Sequence, residues 1–351
     1  AGTHGTTTTT ALATEMLAVA GADPTGLVGG RVSGWSGNLR YGESELYVVE
    51  ADEYDRSFHT LTPDVAVMTN LEADHLDIYG DLEGVEAGFR RFLGLVRPGG
   101  RVVACSDDPG VSRLLAGVEV DVYTYGTSAG SMLRAVDVVA DAGRIRCTLV
   151  EEGVDVGDLT LSVGGLHNLR NALAAAAAAR HTGASWKAVK EASRSFGGVG
   201  RRFQRLGTVG EVVVMDDYAH HPTEIRATLD AARAAWPGRR LVVAFQPHLY
   251  SRTRDFAQEF GMALAQADLA WVTDVFPARE TPIPGVTGQV VADAAVAAGG
   301  ADVRYHPSLE GLAEAMASEL EAGDVVFTLG AGSVETLGAD LLGRMEARIH
   351  A

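Results

Sequence analysis

The segment Gly2-Thr3-His4-Gly5-Thr6-Thr7-Thr8 has residue types suited to holding a phosphate. A glycine-containing turn, a run of hydroxyls and then the helix-forming stretch 11–17 put backbone N–H groups and a helix N-terminus around one point, where an anion is stabilised. Thr7 stands where the hydroxyl of G-x-x-x-x-G-K-[ST] holds Mg²⁺. Thr6 replaces the lysine of that pattern, and its first glycine would fall one position before Ala1, so the chain is expected to begin inside the motif, at an internal cut. The same residues also read as a threonine-rich helix cap after a turn.

A metal-bound phosphate needs carboxylates nearby. The run 46–49 (Leu-Tyr-Val-Val) reads as a buried strand that ends in Glu50-Ala51-Asp52-Glu53-Tyr54-Asp55. A carboxylate such as Glu50, at the carboxyl end of a parallel strand beside a phosphate loop, belongs to a Mg²⁺–nucleotide site. The next strand, 65–69, ends in Asn70-Leu71-Glu72-Ala73-Asp74-His75, which places His75 beside two acids as a candidate metal ligand. A third strand, 101–105, stops at Ser106-Asp107-Asp108. Strands and helices that alternate in this way call for a parallel sheet covered on both faces.

Between 123 and 163 short β-type runs predominate. Gly164-Gly165-Leu166-His167-Asn168-Leu169-Arg170-Asn171 then opens a helix through six alanines, 174–179, which is expected to be buried. Asn168 and Asn171, three apart, share a helical face. Their amides could read an adenine edge; the alternative is simple capping of that helix by His167 or Asn168. The glycines of Ser195-Phe196-Gly197-Gly198-Val199-Gly200 read as a domain hinge. Arg201 and Arg202 follow, suited to phosphate contact or to a hinge ion pair.

Past the hinge the pattern is α/β again. Strand 212–215 leads to Asp216-Asp217-Tyr218-Ala219-His220-His221, with Pro222 at the first position of a helix. Strand 241–245 leads to Gln246-Pro247-His248-Leu249-Tyr250-Ser251-Arg252. Strands 269–273 and 324–329 lead to Asp274 and to Gly330-Ala331-Gly332-Ser333. Ligand sites in open α/β sheets lie at such strand ends. Gly330-Ala331-Gly332 lacks the third glycine of a dinucleotide fingerprint, which argues against a dehydrogenase. The expected architecture is α/β: a P-loop parallel-sheet domain over 1–197 and a Rossmann-like domain over 198–351.

Composition narrows the classes. With 46% hydrophobic and 21% charged residues the chain reads as a globular protein. A net charge of −17 argues against a nucleic-acid partner. No apolar run reaches the length of a membrane span. The two cysteines, Cys105 and Cys147, have no metal-type spacing and suit a reducing cytoplasm.

Taken together, the chain resembles the Mur ligase family. The resemblance rests on GTHG-TTTT at 2–10, EADE at 50–53, TNLEADHLD at 69–77, HNLRN at 167–171, RRFQ at 201–204, DDYAHHPTE at 216–224, FQPHLYSRTR at 245–254, TDVFPARETPIPGV at 273–286 and TLGAGS at 328–333. HHPTE and QPHLYSRTR resemble its alanine-adding branch. That resemblance implies three domains, of which the UDP-binding one would lie outside this chain. It also implies an ATP- and Mg²⁺-dependent joining of L-alanine to UDP-N-acetylmuramate through an acyl phosphate, in peptidoglycan precursor synthesis.

By the resemblance, Gly2, Thr3, His4, Gly5, Thr6, Thr7 and Thr8 line the ATP phosphates, Thr7 and Glu50 hold one Mg²⁺ and His75 a second, and Asn168 and Asn171 contact adenine. Arg202 reaches the phosphates across the hinge, so that closure completes the site. Tyr218, His220, His248 and Arg252 line the alanine and acyl-phosphate pocket. His75, Arg202, His220, His248 and Arg252 are the catalytic candidates. Three departures or markers stand out: Thr6 for the loop lysine, Leu249 where relatives are expected to carry arginine, and Phe89 where ligases of later steps carry a modified lysine. The competing readings are a ligase that recycles a ready-made tripeptide onto UDP-muramate, and a nucleotide-binding pseudoenzyme.

Overall fold

Helix α1 (Thr6–Val19) begins with five threonines, poor helix formers on their own because β-branching restricts χ1. Tertiary packing overrides that preference. Thr7 to Thr10 are buried, and Ala11, Leu12 and Met16 enter the core of the first unit. The computed structural model describes residues 1–141, 143–300 and 302–349. It divides into two compact units, Ala1–Ala140 with Arg144–Gly200, and Asp141–Gly143 with Arg201–Ala351.

In the first unit α1 is followed by β1 (Thr25–Leu27), β2 (Leu39–Arg40) and β3 (Tyr47–Val49), which form a small sheet in the order β2-β1-β3. Strand β3 pairs in parallel with β1. The expectation of a buried strand at 46–49 is corrected here: Tyr47 is 71% exposed and Val49 is also exposed. An apolar run does not by itself say what covers it, and this strand belongs to a three-stranded sheet instead of the large one.

The large sheet has the order β4-β5-β6-β7-β8-β9. Its strands are β4 (Val65–Met68), β5 (Arg101–Cys105), β6 (Asp121–Gly126), β7 (Leu133–Asp141), β8 (Arg144–Glu151) and β9 (Val154–Leu161). Strands β4 to β7 pair in parallel, and β8 and β9 form an antiparallel hairpin. Between β4 and β6 lie α2 (Leu76–Tyr79), α3 (Leu82–Leu93) and α4 (Pro109–Leu114). After β9 come α5 (Leu166–His181) and α6 (Trp186–Ser195).

Side-chain alternation along β5 divides the core. Val103 and Cys105 pack with α1, α5 and α6; Val102 and Ala104 pack with α3 and α4. The alanines of α5 are mostly buried, as expected, and their small side chains let α1 approach closely.

The second unit is one sheet in the order β10-β11-β15-β12-β13-β14. Its elements are β10 (Gln204–Val209), β11 (Val212–Asp217), α7 (Pro222–Ala235), β12 (Leu241–Phe245), α8 (Tyr250–Asp255), α9 (Ala257–Leu264), β13 (Leu269–Val272), α10 (Gly288–Ala297), β14 (Val303–Tyr305), α11 (Leu312–Ala317), β15 (Val325–Leu329) and α12 (Leu337–Ile349). All pairings are parallel except that of β10 with β11. Helices α7, α9 and α10 cover one face; α11 and α12 cover the other. Because β15 inserts between β11 and β12, the parallel ends of these three strands converge, and loops after them carry Tyr218, Gly330 and Gln246.

One close approach fixes where α1 starts. Gly5, the residue before α1, has φ of 80°, and a Cβ there would lie 2.3 Å from Asn171 Oδ1 on α5. Gly5→Ala is expected to cost about 2 kcal/mol or more through backbone strain and this clash. For a unit of this size that lowers the melting temperature by about 4–8 °C. Thermal unfolding followed by circular dichroism checks it, and an unchanged melting temperature refutes it.

Candidate functional site

The loop before α1 is strapped to the end of β4. The Thr69 N–H donates to the Ala1 carbonyl at 3.1 Å and the Thr3 N–H to the Asn70 carbonyl at 3.3 Å. The His4 N–H donates to Asn70 Oδ1 at 2.8 Å, while Thr69 Oγ1 and Asn70 Nδ2 donate back to the His4 carbonyl at 2.7 and 3.0 Å. Thr3 Oγ1 accepts from the Glu72 N–H at 3.0 Å. Gly2, with φ of 139°, leaves room for this strap, since a Cβ there would fall 2.0 Å from Thr69 Oγ1. Sequence reasoning missed Thr69 and Asn70 as supports of the loop. The available signal was a hydroxyl and an amide directly after an apolar strand.

Glu50 follows β3 and points its carboxylate at the start of α1. Thr6 Oγ1 and Thr7 Oγ1 both donate to Glu50 Oε1, at 2.6 and 2.7 Å, and the Gly29 N–H donates to Oε2 at 2.5 Å. Two hard oxygen donors from Thr7 and Glu50, already adjacent, fit the coordination chemistry of Mg²⁺. Thr8, next on α1, is buried.

His75 sits in a separate group of side chains. Its Nε2 lies 3.7 Å from Glu53 Oε1 and 3.9 Å from Asp74 Oδ2, and its ring meets Tyr54 edge-on. The backbone takes φ of 51° at His75, held by its N–H to Asp74 Oδ1 at 2.8 Å. Tyr79 Oη donates to the Glu53 carbonyl at 2.7 Å, joining the two acidic loops. Burial pushes the Glu53 carboxyl up to about 8. Glu53 was legible only as one acid among several. Phe89 is wholly buried on α3 against Phe58.

Asn168 and Asn171 are both buried. Asn168 Nδ2 donates to the Gly164 carbonyl at 2.7 Å, and Asn171 Nδ2 to Asn168 Oδ1 at 3.4 Å. Both amides donate in these bonds, whereas a helix cap would accept from an N–H of the first turn. Next to them Arg170 Nε donates to Asp107 Oδ2 at 2.9 Å. Despite its burial, Asp107 is held well below the usual carboxylate range by bonds from Ser128, Thr127 and Arg170.

In the second unit the two arginines after Gly200 differ. Arg201 is in an ion pair, Nε to Asp216 Oδ2 at 2.8 Å, and also donates to the Gly330 carbonyl at 2.6 Å. Arg202 lies 5.1 Å from the Tyr218 ring centroid and 3.7 Å from Glu224 Oε1. Asp217 accepts the Phe203 and Ala219 N–H groups at 2.6 and 2.8 Å, which pins the chain entry to β11; burial pushes its carboxyl up to about 6. The DD pair is therefore occupied in building the loop that presents Tyr218.

His220 Nδ1 lies 3.0 Å from the Tyr218 carbonyl and 3.2 Å from Glu224 Oε2, and its ring centroid is 5.9 Å from that of His248. His248 stacks on Phe276, and among the described residues its buried Nδ1 has no hydrogen-bond partner. Burial first, then the neighbouring His220, Arg252 and Arg279, push its imidazole down to about 4, so it is uncharged at neutral pH. Arg252 is buried on α8, and the N-terminal end of that helix is held by Glu280, whose carboxylate accepts the Ser251 N–H at 2.9 Å and also its hydroxyl. Leu249, where an arginine was expected, is buried with φ of 70°, and its N–H donates to the Phe276 carbonyl at 3.0 Å. The structure thus gathers Tyr218, His220, His248 and Arg202 around two strand ends, and adds Phe276 and Glu280, which the sequence pattern had not singled out.

Residues 1–179 match the Mur ligase middle domain, and residues 201–332 match the domain described as Mur ligase, glutamate ligase domain. The chain belongs to the Mur ligase family. Among Mur ligases it is 45% identical over 334 residues to the UDP-N-acetylmuramate–L-alanine ligase of Salinibacter ruber, covering 95% of this chain and 70% of the relative. It is 47% identical over 354 residues to the ligase of the same name from Cutibacterium acnes, covering 99% of this chain and 74% of the relative. The crystal structure of the UDP-N-acetylmuramate-alanine ligase of Thermotoga maritima superposes with a TM-score of 0.82 at 28% identity, over 99% of this chain and 74% of that one. A murein peptide ligase from Psychrobacter arcticus superposes at 0.69 with 25% identity, over 98% and 76%. Mur ligases are ATP-dependent, and their α/β architecture is the one seen here.

The low pKa of His248 has a stability consequence. Between about pH 4 and 6.5 the unfolded chain binds a proton at this residue that the folded chain does not, so its contribution, full above 6.5, is lost as pH falls towards 4. His248→Gln is expected to flatten the pH dependence of unfolding free energy in that window. Denaturant titrations at pH 7 and pH 4.5 measure it; an unchanged slope counts against a neutral His248.

Proposed function

We propose that the chain carries out the ATP-dependent ligation of L-alanine to UDP-N-acetylmuramate, in peptidoglycan precursor synthesis in the cytoplasm. The observation that carries this reading is the Thr7–Glu50 oxygen pair at the end of a glycine loop tied to β4, in a chain 45–47% identical to ligases of that name. Two buried free cysteines accord with a reducing compartment, and among the described residues no helix is long and apolar enough to cross a membrane.

In the proposed reaction the muramate carboxylate attacks the γ-phosphorus of ATP, ADP leaves, and an acyl phosphate forms. The amine of L-alanine then attacks the acyl carbon, loses a proton, and inorganic phosphate departs with the C–O bond electrons. Phosphoryl transfer depends on positioning and charge neutralisation more than on covalent help. The Thr3 and His4 N–H groups are taken by Asn70, which leaves those at the start of α1 for the phosphates lined by the loop 2–8, and Arg202 supplies a guanidinium for phosphate oxygens. Thr7 and Glu50 would hold one Mg²⁺ and His75 a second, to neutralise the phosphate oxygens. Asn171, packed under Gly5, and Asn168, bonded to it, fix the floor on which adenine is proposed to lie.

For the amine step, His248 stays uncharged, so its imidazole faces the attacking nitrogen without repelling a cation. Tyr218 and His220 wall the alanine side, and Arg252 pairs its carboxylate. With Leu249 in place of the arginine expected there, that charge pairing falls to Arg252.

Phosphate release with ATP, UDP-N-acetylmuramate and L-alanine tests the reading against its closest rival. Stimulation by L-alanine and none by a muropeptide tripeptide is expected; the reverse assigns the chain to tripeptide recycling. Thr6 favours a second reading, a nucleotide-binding protein with little turnover, because the phosphates lose a lysine. Thr6→Lys is expected to raise L-alanine-dependent phosphate release by about 100-fold or more, the scale of one charge-stabilising donor at a transition state. Absence of any gain removes the loop lysine from the explanation.

A further inference from the structure

Position 6 is where the chain departs from the phosphate-loop pattern, and the structure shows what its side chain does instead. Thr6 Oγ1 turns to Glu50 Oε1 at 2.6 Å, and Thr7 Oγ1 meets the same oxygen at 2.7 Å. The other carboxylate oxygen is taken by the Gly29 N–H. Glu50 is therefore fixed by Oε2, with Oε1 facing two hydroxyls. Gly29 and Gly30 close the surroundings: a Cβ on Gly29 would lie 3.3 Å from Glu50 Oε2, and one on Gly30 would lie 3.1 Å from Thr7 Cγ2.

Charge and geometry both turn this arrangement towards a cation. A lysine at position 6 would put an ammonium within reach of Glu50, compete for Oε1 and repel a dication by Coulomb's law. Threonine removes that positive charge and adds an oxygen donor. Neighbouring ligands of an octahedral ion at about 2.1 Å lie about 3 Å apart. Thr6 Oγ1 and Thr7 Oγ1 each already stand at nearly that spacing from Glu50 Oε1, so small rotations of the hydroxyls, turning their protons outward, suffice.

We infer that Thr6 is a third oxygen ligand, beside Thr7 and Glu50, in a divalent-cation site that fills before the nucleotide arrives. The inference rests on the ligase reading of the Thr7–Glu50 pair and extends it to an order of binding. In a lysine-bearing loop the phosphates meet a protein cation first and bring the metal with them. Here the loop has no such cation, and the bound metal ion is what draws the triphosphate in.

The experiment is Mn²⁺ binding to the whole chain without nucleotide, read by the loss of the free-ion signal in electron paramagnetic resonance. One site is expected in the native chain. Thr6→Ser keeps it, Thr6→Val weakens it several-fold by removing one donor, and Thr6→Lys weakens it by about tenfold or more. Glu50→Gln abolishes it. Circular dichroism of each variant establishes that it is folded. Equal Mn²⁺ affinity in the native, Val and Lys proteins overturns the inference, leaving Thr6 as a hydrogen-bond donor to Glu50. So does Mn²⁺ binding that occurs only when ATP is present, although that result leaves the ligase reading standing. Binding of neither Mn²⁺ nor Mn-ATP sinks both.

Discussion

The absence of a side chain at Gly5 is the constraint from which the first unit is assembled. The Asn171 amide occupies the space a Cβ would need, and the positive φ lets the loop turn directly into α1. Because Asn171 lies in the first turns of α5, this one contact sets the two helices against each other at the loop. The alanine run of α5 then keeps them close along their length. The hydrogen bonds from Thr69 and Asn70 hold the other side of the loop to β4. A loop held from both sides presents its N–H groups without ordering cost when an anion binds, which is the physical meaning of preorganisation.

The second unit solves a similar problem with a different device. Residues 276–280 run back against the chain after β12: the Phe276 carbonyl accepts from Leu249, the Phe276 ring stacks on His248, and Glu280 holds Ser251. That strap lets Leu249 adopt its positive φ, a conformation costly for a non-glycine residue. It also starts α8 at the point that carries Arg252. Phe276 and Glu280 thereby fix the His248 ring and the start of the helix that carries Arg252.

Buried carboxylates mark where the molecule meets an electrostatic cost. Asp107 meets it with hydroxyl, backbone and guanidinium donors and stays far below its usual range. Glu53 and Asp217 lack equal compensation, and burial drives both upward. Glu50 is different again: its donors are all neutral, two of them hydroxyls whose oxygens could share a cation with Oε1. The chemistry of position 6 changes the balance at that carboxylate more than it changes the fold.

Much of the architecture was legible from local pattern. Strands β4, β5 and β8, the buried alanine helix and the helix opened by Pro222 follow from periodicity, apolar runs and capping, which depend on residues a few positions apart. Residue types and spacing pointed to Thr7, Glu50 and His75, whereas Tyr218, His220, His248 and Arg252 were named through the family resemblance. What the sequence left open was decided by contacts between distant positions: Thr69 under His4, Asn171 against Gly5, Glu53 and Tyr79 beside and behind His75, Phe276 on His248. The solvent-facing side of β3 and the inward use of Asn168 belong to the same class. Periodicity reports which side of an element is apolar, and only the folded chain determines what lies against that side and which donor reaches which acceptor.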